Sequence, residues 1–248
     1  MVKGLDTFQK YFADYEEQYV LIGGAACDIL FESNEVNFRA TRDLDMVLIV
    51  EALTPEFGEK FWKFIVDGKY RNKATNGSNP QFYRFDKPED DEFPKMIELF
   101  CRSDFKLKNA KGITPIHIDD EVSSLSAILL NDDYYKALLN GKEVRNGLSV
   151  LRPEYIILFK AKAYLDLQKR KDSGEKLDSS DIKKHKKDVL RIASELMLEK
   201  VEELPIAVDA DIHSFIDLLE QEPFDQNSLK RYGLKNENVV ELLKRVFG

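Results

Sequence analysis

The sequence predicts an α+β fold, with a small mixed sheet flanked by helices in the N-terminal part and a mainly helical C-terminal part. Short apolar runs bounded by glycines or charged residues predict strands in the first half. Apolar residues at helical spacing recur through the second half. We expect a core over residues 1–110, connecting strands and a hairpin over 111–152, and a helical domain over 153–248.

Four apolar segments of the first half predict its strands, and turn residues or charges bound each of them. These segments are 19–22, 45–50, 81–85 and 95–101. Helices are expected over 4–18 and 25–31, and a third begins at the capping residue Thr54 with Pro55 in its first turn. Further strand-like pieces are expected around His117 and over 125–130.

The second half contains clear helix and hairpin signals. Arg145-Asn146-Gly147 predicts a hairpin turn. A short helix is expected to end at Gly141, and Pro153 is expected to begin a long one. The predicted helices of this half span 133–140, 153–171, 181–200, 209–221 and 236–246.

Composition excludes some classes of protein. The net charge of −8 argues against a protein that coats nucleic acid by bulk electrostatics, although residues 160–191 are rich in lysine. Cys27 and Cys101 lie in apolar segments, which predicts buried, reduced thiols. No apolar run approaches the roughly 18 residues of a membrane span. We therefore expect a cytoplasmic protein with no membrane partner.

A glycine pair and two aspartates are the first candidate site residues. Gly23 and Gly24 end an apolar run, and Asp43 and Asp45 open another. Side chains alternate along a strand, so the two carboxylates point to the same side. Two carboxylates beside a glycine turn suit a magnesium-bound triphosphate.

Glu98 is an acid in the middle of an apolar strand, where a charge is unfavourable unless it is paired or binds a metal. If its strand lies beside that of Asp45, then Asp43, Asp45 and Glu98 converge and could hold one or two magnesium ions. The competing interpretation is that Glu98 forms a salt bridge at the edge of the sheet.

These residues resemble the nucleotidyltransferase superfamily, which has the polymerase-beta-like fold. The resemblance covers residues 18–101 and includes the Gly-Gly pair, an Asp-x-Asp and a later acid. The segment Arg39-x-Thr41-x-Asp43-x-Asp45 resembles more closely the AbiEii-like abortive-infection toxins and related bacterial nucleotidyltransferases. The second glycine stands where many members of the superfamily have serine.

The resemblance implies a magnesium-dependent transfer of a nucleoside monophosphate from a nucleoside triphosphate to an acceptor hydroxyl. Gly23, Gly24, Arg39, Thr41 and Arg42 would bind the nucleotide. Either arginine could contact the triphosphate or simply balance the acidic residues. The implied acceptor is a tRNA 3′ end or a protein, and the implied setting is a toxin–antitoxin or phage-defence system with an antitoxin as partner.

The same family carries a lysine in a helix after a Pro-Glu start, and an aspartate near a later basic helix. Lys160 and Lys162 both match the lysine, and Asp188 matches the aspartate. The helix around the lysines is apolar on nearly every side, so they need anionic partners. Alternatively, their stems reach the surface or Lys162 pairs with Asp166.

The later aspartate and the basic run also have ordinary interpretations. Asp188 could pair with Lys184 or Arg191 on its own helix. The lysines of the run 183–187 could form a solvated face, or they could contact the phosphates of an RNA acceptor.

Three alternatives to the transferase remain open. The first is a catalytically silent nucleotide- or protein-binding module of the same fold. The second is a glycosyltransferase, although its Asp-x-Asp typically follows an apolar strand, whereas here the pair precedes one. A metal nuclease is the least favoured, since no histidine or lysine stands near Asp43 and Asp45 at the usual spacing.

Overall fold

The computed structural model describes residues 3–32, 43–71, 82–101, 128–129 and 131–248. The chain divides into two compact units, which are described separately below. The first comprises Met1–Ser126 and Lys142–Leu151, and the second comprises Ala127–Gly141 and Arg152–Gly248. The expected connecting region 111–152 is therefore split, because its hairpin belongs to the first unit and the helix before it to the second.

The first unit is built on a mixed sheet, which confirms the predicted fold class. In the described residues it has six strands, paired in the order β3-β4-β2-β1-β6-β5. Strands β2 and β4 are parallel, as are β1 and β6, and the other pairs are antiparallel. The strands are β1 Tyr19–Ile22, β2 Asp43–Leu48, β3 Phe82–Asp86, β4 Met96–Cys101, β5 Lys142–Arg145 and β6 Leu148–Leu151.

In the described residues, three α-helices accompany this sheet, namely α1 Leu5–Phe12, α2 Gly23–Glu32 and α3 Pro55–Asp67. Helix α3 begins as predicted, because the Thr54 side chain accepts a hydrogen bond from the Phe57 N–H at 3.3 Å. Aromatic rings of α1 and α3 form much of the core. The ring of Phe64 lies 5.8 Å from that of Phe8 and 5.4 Å from that of Phe12. This packing fixes α1 and α3 against each other.

The described part of the second unit is helical. Tyr134 and Phe159 pack edge to face with ring centroids 5.4 Å apart, and Tyr164 packs on Phe215 in the same way. Its helices are α4 Asp132–Asn140, α5 Pro153–Asp172, α6 Ser179–Glu195, α7 Ile206–Gln221, α8 Gln226–Arg231 and α9 Asn236–Phe247. Among the described helices, none combines the length and apolar character that crossing a membrane requires.

Several expected boundaries were wrong. The helix predicted over 4–18 ends at Phe12, because Asp14 has a φ of +78°, and a short 3-10 turn follows. Residues 128–129 are helical rather than strand-like. Helix α6 stops at Glu195 rather than at residue 200. Beyond it, the Val201 N–H donates to the Val246 carbonyl at 2.9 Å, a tertiary bond that a local pattern does not reveal.

The structure contains one helix that was not predicted, and it confirms the predicted hairpin. Helix α8 was not predicted, although Asp225 caps it by accepting from the Ser228 N–H at 2.9 Å. The hairpin is confirmed, with Asn146 and Gly147 both at positive φ. Cys27 and Cys101 are buried and form no disulfide. The pieces expected around His117 and over 125–127 lie outside the described residues.

A bidentate ion pair anchors the edge strand β3. Arg71 donates from Nε to Asp86 Oδ1 at 2.9 Å and from Nη2 to Oδ2 at 2.7 Å. The hydrogen bonds from Arg71 hold the pKa of the Asp86 carboxyl below its usual value of 3.8. Because the folded pKa is lowered, this pair stabilises the protein above the unfolded pKa and loses its effect as the pH falls through the folded pKa.

We therefore expect Asp86→Asn to lower the free energy of unfolding at pH 7. The difference from the wild type should shrink as the pH falls below about 3.8. Urea unfolding, followed by circular dichroism between pH 7 and pH 3, measures this difference in the free energy of unfolding. A difference that stays constant over this range would contradict the assigned role of the carboxylate.

Candidate active site

Two of the predicted site residues, Asp45 and Glu98, lie in one row across four neighbouring strands of the sheet. Ile22 of β1 is paired with Asp45 of β2, Asp45 with Glu98 of β4, and Glu98 with Arg84 of β3. Adjacent strands are separated by about 4.8 Å, and directly paired residues point to the same face. The Glu98 strand therefore lies beside the Asp45 strand, which is the condition on which the predicted convergence of the acids depended.

The two central strands share one burial pattern. On β2, Asp43 and Asp45 are partly exposed while the intervening Leu44 is fully buried. On β4, Glu98 is partly exposed between the buried Ile97 and Leu99. The acids therefore occupy the solvent-accessible face at one end of these strands, and the apolar residues pack into the core. The aspartates belong to the strand itself, since β2 begins at Asp43 and not at Asp45.

Gly23 brings the chain into contact with the Asp45 carboxylate. Its φ is +62°, and a Cβ at this position would lie only 2.1 Å from Asp45 Oδ2. Only glycine fits, because any side chain would meet the carboxylate and strain the backbone. Gly24 follows inside α2, where it is buried. The glycine turn and the Asp-x-Asp segment therefore form one local structure at the start of α2.

Glu98 is bound by an arginine that the sequence analysis missed. Arg84 donates to Glu98 Oε1 from Nε at 3.0 Å and also from Nη2. The side chains are 37% and 20% exposed, so water screens this pair in part. The salt bridge that was the alternative for Glu98 is thus present. An arginine inside the apolar run of residues 82–85 was the available signal, but its partner depended on strand order.

The carboxylates do not form a closed metal cage. Among the described residues, no group of three or more His, Cys, Asp or Glu side chains is arranged to hold a metal ion. The donor set still suits magnesium, which commonly takes one or two protein carboxylates and completes its shell with water and substrate phosphates. Asp43 and Asp45 are the residues that would supply them. Arg39, Thr41 and Arg42 lie outside the described residues.

In the second unit the structure brings Lys160 and Asp188 together. Their Nζ and Oδ2 atoms are 2.9 Å apart, and the side chains are only 13% and 9% exposed. The sequence suggested Lys184 and Arg191 as partners for Asp188. In the structure Lys184 pairs with Asp181, and Arg191 pairs with Glu195. A buried ion pair between α5 and α6 therefore joins one of the two candidate lysines to the aspartate that matches the family pattern.

Lys162 forms ion pairs with a different set of residues. Its Nζ lies 3.1 Å from Asp166 and 3.1 Å from Asp211 of α7, and the Tyr134 hydroxyl donates to the same Asp211 at 3.0 Å. Burial acts to lower the pKa of Lys162, but the hydrogen bonds that its ammonium donates to these two aspartates, together with their charges, outweigh burial and raise this pKa. The Asp166 pairing was anticipated, whereas Asp211 was not. This network ties α4, α5 and α7 together, and it explains Lys162 without a ligand.

Comparisons with known proteins do not assign this chain to a family. No protein-family model matches this chain, and no curated protein matches it either. The resemblance to nucleotidyltransferases therefore stays a prediction, and the geometry of the candidate site is the ground on which it can be argued.

The contact between Gly23 and Asp45 predicts a specific cost of adding one methyl group. We expect Gly23→Ala to lower the free energy of unfolding by about 1–3 kcal/mol, because the new Cβ meets a carboxylate at a positive φ. Gly58→Ala is the matched control, since nothing lies within 4 Å of a Cβ there and φ is not positive. It should be neutral or slightly stabilising.

Guanidinium titration of both variants measures this difference. Equal effects of the two substitutions would show that the Asp45 contact does not constrain position 23.

The buried pair of Lys160 and Asp188 predicts asymmetric substitution effects. Lys160→Met should destabilise the protein by about 3–5 kcal/mol, because it leaves a buried carboxylate without its ammonium partner. The double variant K160M/D188L should recover much of that loss, since both charges are then absent. Thermal and urea unfolding of the three proteins measure the coupling.

Lys184→Met serves as the control, because it removes an exposed lysine from a surface pair on α6, the helix of Asp188. Its expected change in the free energy of unfolding is below about 1 kcal/mol. A double variant less stable than K160M would overturn this assignment.

Proposed function

We propose that this protein is a magnesium-dependent nucleotidyltransferase that moves a nucleoside monophosphate from a nucleoside triphosphate to an acceptor hydroxyl. The observation that carries the proposal is the contact between the glycine turn at Gly23 and the carboxylate of Asp45. A backbone turn that opens a helix can cradle phosphates, and a carboxylate beside it can hold the divalent ion that accompanies a triphosphate.

The roles of the acids follow from their positions. Asp43 and Asp45 are the proposed magnesium ligands, because they occupy the accessible face of β2 next to the turn. When bound, magnesium would neutralise phosphate charge and lower the pKa of an attacking hydroxyl. The N–H groups at the start of α2, near Gly23 and Gly24, point along the helix axis and would favour an anionic phosphate.

The reaction is an in-line displacement at the α-phosphorus. The acceptor oxygen forms a bond to that phosphorus, and the bond from the phosphorus to the bridging oxygen of the β-phosphate breaks. Pyrophosphate leaves with the bonding electron pair, and the proton of the acceptor hydroxyl passes to a base or to water. The chain therefore has to position the reactants and stabilise negative charge, and it forms no covalent intermediate in this scheme.

Glu98 fits a positioning role better than that of a proton acceptor. Its Oε1 already accepts two hydrogen bonds from Arg84, so these donors occupy the atom that would otherwise take up a proton. In return, Glu98 holds a guanidinium on the edge of the carboxylate row, where an arginine can bind a phosphate group. Both candidate lysines have carboxylate partners within the second unit, Lys160 in Asp188 and Lys162 in Asp166 and Asp211, so we assign neither of them to the chemistry.

The acceptor we propose is an RNA such as a tRNA 3′ end, with a protein hydroxyl as the other candidate. The setting we propose is a bacterial toxin–antitoxin or phage-defence system in which an antitoxin restrains the enzyme. A catalytically silent binding module is the second candidate function. The ion pair between Glu98 and Arg84 favours it, since this acid is already engaged within the protein.

A label-transfer assay tests the proposal. The purified protein is incubated with magnesium, one α-labelled nucleoside triphosphate at a time, and either bulk tRNA or protein. We expect transfer of label to one acceptor class, and a loss of at least about a hundredfold in Asp45→Asn because magnesium and phosphate are no longer held. Glu143→Gln, which removes an acid from β5 of the same sheet, should leave the transfer unchanged.

Calorimetry with magnesium and each triphosphate separates the two candidate functions. Binding that Asp45→Asn abolishes, without transfer to any acceptor, would favour the silent module. Absence of both binding and transfer would refute the transferase proposal.

A further inference from the structure

A lysine-lined cleft in the second unit has no role in the chemistry described above. Its volume is about 420 Å³, within the range of ligand-binding pockets. Lys183, Lys186 and Lys187 of α6 line it together with Tyr164 of α5 and Phe224. We call it the lysine cleft. The three lysines are spaced three and four residues apart, so a single face of α6 presents them.

These lysines differ from their neighbours in how their charge is balanced. Lys184 on the same helix pairs with Asp181 at 3.1 Å, and Lys160 pairs with Asp188. Within the part of the chain that the structure describes, Lys183, Lys186 and Lys187 form no ion pair with a carboxylate. Three like charges are thus gathered in one concave surface of a protein whose net charge is −8.

Lys186 is half-buried, and its surroundings leave its charge only partly satisfied. Its Nζ donates to the Glu222 carbonyl and lies 5.7 Å from the ring centroid of Tyr164 and 5.6 Å from that of Phe224. Burial lowers the pKa of Lys186, although the charge of Glu222 opposes this. An anion in the cleft would replace the water that this ammonium has lost.

Two acids also line the cleft, and other groups engage both of them. Asp225 accepts from the Ser228 N–H and hydroxyl, each at 2.9 Å, and so caps α8. Glu222 interacts with the Tyr164 hydroxyl, and this contact contributes to the raised pKa of that tyrosine, of which burial is the main cause. The charges of these acids offset part of the lysine charge, since Asp225 interacts with Lys187 and Glu222 with Lys186, but three cations still face two anions in the cleft and Lys183 and Lys187 are exposed.

We propose that the lysine cleft binds the phosphate backbone of an RNA strand. The proposal rests on the proposed transferase function in one respect, since a transferase to RNA needs a surface that holds its acceptor. Lysines supply phosphate contacts without base selectivity, so the cleft would position an RNA chain without reading its sequence. Free nucleoside triphosphate carries the same phosphate chemistry, and the experiment below separates the two ligands.

The experiment measures binding of a fluorescein-labelled single-stranded RNA by anisotropy, without magnesium or triphosphate, between about 50 and 200 mM NaCl. K183Q/K187Q removes the two exposed cleft lysines. K176Q/K184Q removes two exposed lysines outside the cleft and gives the same change of net charge. Thermal unfolding checks that both double variants are folded. K186Q, which removes the half-buried lysine of the cleft, is measured as a third variant.

We expect K183Q/K187Q to weaken RNA binding at 50 mM NaCl by at least about tenfold and to reduce the slope of log affinity against log salt by about 1.4. K176Q/K184Q should change the affinity less than about twofold. Three results would overturn the proposal: no RNA binding by the wild type, equal losses in the two double variants, or unchanged binding in K183Q/K187Q.

A competition arm with free nucleoside triphosphate distinguishes the two phosphate sources. If K183Q/K187Q loses triphosphate binding while RNA binding persists, the cleft is a nucleotide site and the RNA proposal is wrong. This binding assay needs no catalysis, so its outcome is independent of the label-transfer assay. If the protein binds RNA through the cleft but transfers no label, only the transferase proposal is refuted. If label is transferred but K183Q/K187Q binds RNA as tightly as the wild type, only the cleft proposal is refuted.

Discussion

The register of β2 between β1 and β4 is the constraint on which the candidate site depends. It pairs Asp45 with both Ile22 and Glu98, and it brings the Asp45 carboxylate against Gly23. A slip of one residue would turn the aspartates into the core and expose Leu44 and its apolar neighbours. The hydrophobic core therefore enforces the alignment of the acids, and stability and the candidate function share one structural requirement.

Contacts within the protein and position on the sheet set the roles proposed for the candidate residues. Glu98 is bound by Arg84, and Lys162 is bound by two aspartates of its own unit. Asp43 and Asp45 lie on an accessible strand face beside a glycine turn. This position supports the proposed binding of magnesium at the aspartates, and Glu98 is the residue that holds Arg84 in place.

The second unit makes two distinct uses of lysine. Lys160 is buried and paired with Asp188, which links α5 to α6 through a charge pair that neither helix could hold alone. The lysine cleft, on another face of α6, collects three ammonium groups that form no ion pair within the described residues, although Glu222 and Asp225 also line it. Under the proposal made above, α6 serves packing through Asp188 and phosphate binding through these lysines, because its faces meet different environments.

The sequence by itself determined the fold class and most helices and strands, because alternation, capping and turn signals are local, whereas the pairing of the Asp45 and Glu98 strands was only a condition until the structure showed it. It also selected Gly23, since a glycine ending an apolar run indicates a special backbone turn. Only the tertiary structure decided that Arg84 neutralises Glu98, that Lys160 and not Lys162 meets Asp188, and that three lysines share a cleft. Those outcomes depend on contacts between residues far apart in the chain, which no local periodicity encodes.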